Sequence, residues 1–120
     1  MDDLFTRGIE EFNRQCFFEA HDTWEELWRE TSGTNRLFYQ GLIQTAVGFY
    51  HLTNGNYKGG CSQFSKALAK LEQYLPSFHG IHTELLVQQV RKCLLEGEHV
   101  RDGSTEAFDE AGIPQIAMES

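Results

Sequence analysis

Apolar residues recur three and four positions apart along most of this chain, and each such stretch meets a recognisable stop. Phe5, Ile9 and Phe12 share one side of a first helix that Asp2 or Asp3 can cap. A second helix is predicted from about Phe17 to Thr31, broken at Gly33 within "TSGTN". A third runs from about Asn35 to Leu52 and ends in "TNGN", where Gly55 suits a left-handed cap. The fourth spans about Tyr57 to Tyr74 and stops before Pro76, which cannot continue a helix. After "PSFHG", a fifth from about His82 to Glu96 sets Leu85, Leu86, Val90, Cys93 and Leu94 at helical spacing. Ser104 to Glu110 reads as one short turn, and "GIPQIAMES" as an extended tail. No run of alternating apolar and polar residues calls for a strand.

The third helix is apolar nearly all round, through Leu37, Phe38, Leu42, Ile43, Ala46, Val47, Phe49, Tyr50 and Leu52. A helix of that kind belongs at the centre of a fold. The expected architecture is therefore all-α: a single compact bundle of five or six helices around a central helix, about Asn35 to Leu52. One domain covers residues 1–120, with a helical core over about 3–96 and a turn and tail over 97–120. The 120 residues, 40% of them hydrophobic, can bury roughly two-thirds of the unfolded surface and need no metal or disulfide to fold. A weak repeat at an offset of 40 aligns Phe17, Ala20, Trp24 and Trp28 with Tyr57, Gly60, Phe64 and Leu68. Its second copy resembles half of a tetratricopeptide helical hairpin. Two imperfect copies fall short of the three or so that a solenoid needs, so the repeat implies helix-pair geometry only.

Charge narrows the function classes. The net charge of −8 argues against nucleic acid and anionic membrane as partners. No apolar run approaches the ~20 residues of a membrane span, and the start "MDDLFTRGIEEF" lacks the order of a signal peptide. Cys16, Cys61 and Cys93 are three and widely spaced, which fits reduced thiols and a cytoplasmic setting. Cys16 and Cys61 lie near helix starts and read as packing residues. Acids crowd the two ends: none occurs between Thr31 and Leu71, where Arg36, Lys58, Lys66 and Lys70 sit.

Two helices carry polar groups where the core should be. At about 100° per residue, Phe17, His21, Trp24, Glu25 and Trp28 fall within one arc of the second helix. Glu19 lies off that arc. On the third, Arg36, Gln40, Gln44 and His51 gather in an arc of about 80° around Val47. A polar stripe on a buried helix needs partners, since each unpaired group costs roughly 1–3 kcal/mol. The two helices are therefore expected to face each other across a pocket formed by His21, Trp24, Glu25, Trp28, Arg36, Gln40, Gln44 and His51, walled by the two indoles.

The stretch from Phe12 to Pro76 resembles domain of unknown function family 309. The pattern is carried by Phe12, Asn13, Phe17, Glu19, Ala20, His21, Trp24, Glu25 and Trp28. It continues through Arg36, Gln40, Gly41, Leu42, Ile43, Gln44, His51, Gly55 and Asn56. Gln15 stands where the pattern has a turn glycine, and Asp22 where it has a glutamate. The resemblance implies a compact all-helical bundle with one central helix, and it supplies no activity.

Three functions fit these residues. In the first, the pocket binds an unidentified small molecule or a protein partner. In the second, His21, Glu25 and His51 hold Zn²⁺ or Fe²⁺ for a hydrolase-like reaction, with Gln44 or Gln40 orienting water or substrate. In the third, the cluster is a purely architectural network in which Glu25 pairs with Arg36 or His21. His79, His82 and His99 are read as surface or capping residues. A homodimer is included only as the commonest soluble assembly.

Overall fold

In a computed structural model describing residues 3–118, the five expected helices form, and each boundary has a local cause. Helix α1 (Leu4–Asn13) starts at Asp3, whose carboxylate accepts from the Thr6 amide at 2.7 Å. That bond holds the Asp3 carboxyl below its ordinary pKa. Asp2, the other candidate cap, lies outside the described residues. Helix α2 (Phe17–Arg29), helix α3 (Thr34–Thr53) and helix α4 (Tyr57–Leu71) follow. Asn56 caps α4 by accepting from the Gly59 amide at 2.9 Å. The last turn foreseen for α4 tightens into a 3₁₀ turn, Glu72–Tyr74, ahead of Pro76.

Helix α5 (Thr83–Arg101) runs a full turn beyond the expected end. His82 caps its start, with Nδ1 accepting from the Leu85 amide at 3.3 Å. Its end is fixed by Gly103 at φ +84°, with Ser104 N–H bonded to His99 O and Gly103 N–H to Val100 O. The short turn expected over Ser104 to Glu110 is accordingly displaced. A 3₁₀ turn forms instead at Glu110–Gly112, where Asp109 caps the Ala111 amide. Two isolated bridges, Phe78 with Ile81 and Ile81 with Met118, pin the tail beside the α4–α5 connection.

The result is an all-α bundle. Helix α3 packs on both α2 and α4, α1 packs on α2, and α5 packs on α4. A radius of gyration of 13.6 Å equals that of a compact chain of this length, about 14 Å. Phe49 of α3 is the hub of the core. Its ring lies 5.8 Å from Phe12, 5.4 Å from Phe17 and 4.7 Å from Phe64, so one side chain joins α1, α2, α3 and α4. Among the described residues no helix is long and apolar enough to cross a membrane.

The weak repeat proves to be geometric. Gln15 N–H bonds Phe12 O and Cys16 N–H bonds Glu11 O; forty residues on, Gly55 N–H bonds Leu52 O and Asn56 N–H bonds His51 O. Gln15 and Gly55 both take positive φ, +62° and +82°. A methyl group on Gly8 would overlap the Trp24 indole, and one on Gly48 would overlap the Phe64 ring. The hairpins α1–α2 and α3–α4 thus share one turn and one close contact.

Candidate functional site

Helices α2, α3 and α4 enclose a solvent-open cleft of about 400 Å³. Helix α2 contributes His21, Glu25 and Trp28, helix α3 contributes Gln40, Ile43, Gln44 and Val47, and helix α4 contributes Gln63. The four-residue step from His21 to Glu25 sets both side chains on one edge of α2, with Nε2 of the ring 2.9 Å from Glu25 Oε2. Nδ1 of the same ring lies 3.2 Å from Asp22 Oδ1. The His21 ring thus lies between two carboxylates. The second oxygen of Glu25 is paired with Arg29.

Two of the residues that line the cleft carry polar atoms without a partner. Trp28 Nε1 and Gln44 Oε1 are buried and have no hydrogen-bond partner among the described residues. Arg36 covers the Trp28 ring, its Cζ 3.8 Å from the ring centroid, and so makes a cation–π contact. A second, apolar cleft of about 200 Å³ adjoins the first and shares His21 and Val47 with it. Phe18, Tyr50 and His51 complete its lining. Phe18 and Tyr50, 5.5 Å apart, are both exposed.

The expected pocket is therefore divided. His21, Glu25, Trp28, Gln40 and Gln44 come together, whereas Trp24 does not join them. Its ring is fully buried beneath α1, and Nε1 donates to Phe5 O at 3.2 Å. The reason is Gly8, which leaves room for an indole at the α1–α2 contact. Arg36 lies against Trp28 and not against Glu25, and His51 lines the apolar cleft. Among the described residues, no group of three or more His, Cys, Asp or Glu side chains is placed to hold a metal ion. Gln63 was not foreseen, because α4 read as a copy of α2 and nothing in its own pattern marked that position.

A third cleft, of about 390 Å³, lies beside the C-terminal end of α2 between Asp3, Phe5, Leu27, Glu30, Tyr39 and His79. Tyr39 Oη and His79 Nε2 are 3.0 Å apart. Burial, assisted by the Asp3 charge, pushes the Tyr39 hydroxyl pKa up. His79 had no periodicity to announce it; its position depends on a backbone with φ +55°.

The Schellman turn at Gln15, the indole of Trp24 and every residue of the polar cleft but Gln63 lie in the first half of the chain. Residues 5–62 match the sequence model of DUF309, a domain of unknown function. The chain resembles that family over α1, α2, α3 and the start of α4, just under half of its 120 residues. Every residue lining the polar cleft except Gln63 falls inside the match to DUF309. No curated protein matches the chain.

Proposed function

We propose that this protein is a binding protein whose polar cleft takes a small molecule, or a partner's side chain, that carries a carboxamide-like pair of donor and acceptor. One observation carries the reading: two residues that line the cleft hold buried polar atoms without a partner, Trp28 Nε1–H and Gln44 Oε1. A buried polar group left unpaired costs about 1–3 kcal/mol, and an amide group entering the cleft offers an acceptor to the indole and a donor to the glutamine. The His21–Glu25 pair on the rim adds charge for a polar substituent.

The metal-assisted alternative requires His21, Glu25 and His51 on one Zn²⁺ or Fe²⁺. Both ring nitrogens of His21 face carboxylates and Glu25 also holds Arg29, so three contacts would have to give way. The binding reading needs no such rearrangement.

Small carboxamides titrated into ¹⁵N-labelled protein test it through the two indole resonances. The Trp28 signal is expected to move while that of Trp24, bonded to Phe5 O, stays in place. Gln44→Leu should weaken binding about tenfold, the equivalent of one lost hydrogen bond, while the melting temperature of the ligand-free protein stays the same or rises, because a buried unpaired group is removed. Glu25→Gln should alter stability by no more than about 1 kcal/mol, as for any part-exposed ion pair. An immobile Trp28 signal across the series, or undiminished binding by Gln44→Leu, would sink the proposal. Zn²⁺ alone, added to protein made without a histidine tag, is expected to leave both indoles unmoved.

A further inference from the structure

The cleft beside the C-terminal end of α2 brings negative charge and aromatic rings to one place. Glu30 is the C-cap of α2, where the helix dipole is already negative, so an anion is opposed there and a cation favoured. The basic residue of that last turn, Arg29, is committed to Glu25. Glu30 itself enters no salt bridge among the described residues. Asp3 lines the same cleft, its carboxyl held below the ordinary pKa chiefly by the Thr6 amide. Its charge is felt within the cleft, where it adds to burial in raising the Tyr39 hydroxyl pKa. No lysine or arginine is among the lining residues.

Rings make up much of the remaining wall. The half-buried Phe5 ring lies 5.8 Å from Tyr39 and 4.9 Å from His79, which meets it edge-on. His79 is held in place by its 3.0 Å contact with Tyr39 Oη. Its backbone takes φ +55°, a conformation disfavoured for an L-residue. Leu27 adds an aliphatic surface. The volume of about 390 Å³ falls within the roughly 300–1,000 Å³ of small-molecule sites.

We propose that this cleft binds an organic ammonium ion, its charge answered by Glu30 and Asp3 and its alkyl groups by Phe5, His79 and Leu27. Carboxylates alone would serve any cation. The rings and Leu27 select one that carries carbon, because aromatic faces attract a weakly hydrated cation and apolar surface rewards its alkyl groups. The net charge of −8 raises the concentration of cations near the surface. No residue of this cleft lines the polar cleft, and the two proposals stand or fall separately.

The test compares choline with 3,3-dimethyl-1-butanol, of the same shape and without the charge, on the complete ¹³C-labelled chain. Choline is expected to shift the ring signals of Phe5 and His79 and to bind at least about tenfold more tightly than the alcohol. Butylammonium in place of choline shows whether a primary amine or a quaternary centre fits better, and tighter binding than the alcohol by either supports the site. Glu30→Gln, at an exposed position, should weaken choline about threefold and leave the alcohol unaffected. It should also raise the melting temperature of the ligand-free protein, since it relieves the helix dipole. Lost affinity beside a gain in stability cannot come from a misfolded variant. Ring signals unmoved by choline overturn the proposal outright. Equal binding of choline and the alcohol, or undiminished binding by Glu30→Gln, overturns it in favour of an apolar pocket. The same ring shifts from sodium chloride at equal concentration overturn it in favour of a counterion site without selectivity.

Discussion

At Gln15 the backbone takes φ +62°, a conformation that places a Cβ too close to the following carbonyl and costs an L-residue roughly 1–2 kcal/mol. Gly55 meets the same demand forty residues later without that penalty. Gln15→Gly should raise the unfolding free energy by up to about 1 kcal/mol after the greater entropy of the unfolded glycine chain is subtracted. Gly55→Gln should lower it by about as much; nothing lies near its Cβ position, so the effect isolates φ. Urea titration of both variants checks the pair. Cys93 is informative in a different way, because burial first and the Glu96 charge second push its thiol up to about 12. The folded state therefore favours the protonated thiol. Its contribution to stability is fully present below the ordinary thiol pKa near 9 and is lost as pH rises from there through about 12. Subtracting the stability curve of Cys93→Ala should remove that part of the alkaline decline. A difference flat across pH 9 to 12 would contradict the assignment.

Between elements, the decisive contacts are those where a glycine admits a ring. Gly8 under Trp24 and Gly48 under Phe64 fix how closely α1 approaches α2 and α3 approaches α4. Gly8→Ala has to push the indole or the helix aside. It is expected to destabilise by about 1–3 kcal/mol and to shift the Trp24 indole resonance, whereas an alanine on an exposed face of α1 would do neither. The helices themselves were readable from period and punctuation, to within about a turn. The exceptions are instructive. Helix α5 continues past Glu96 because its stop, Gly103, lies farther along than the last apolar residue of its stripe. The turn expected from Ser104 yields to one at Glu110, where Asp109 supplies a cap. Periodicity reports the face a helix buries, and says little about where the last polar turn ends.

At the scale of the molecule, Phe49 ties four helices through rings on three others. Phe49→Ala should cost about 3–5 kcal/mol, a large share of the 5–15 kcal/mol typical of a whole domain, and melt the helices together in one transition followed by circular dichroism. An unchanged midpoint would show the hub to be dispensable. The all-α class, the central place of α3 and the α2–α3 pairing were fixed by the chain's own pattern, because burial of a nearly all-apolar helix leaves few alternatives. Half of the candidate cleft was equally legible: His21 and Glu25 sit one turn apart whatever surrounds them, and Gln40 and Gln44 repeat that spacing on α3. Only the tertiary structure decided that Trp24 turns into the core, that Arg36 stacks on Trp28, that Gln63 completes the cleft and that His79 meets Tyr39. Helical spacing fixes the angle at which a side chain leaves its own axis. Which neighbour waits there depends on how two axes cross and how near a glycine lets them come, and that is a property of the assembled bundle.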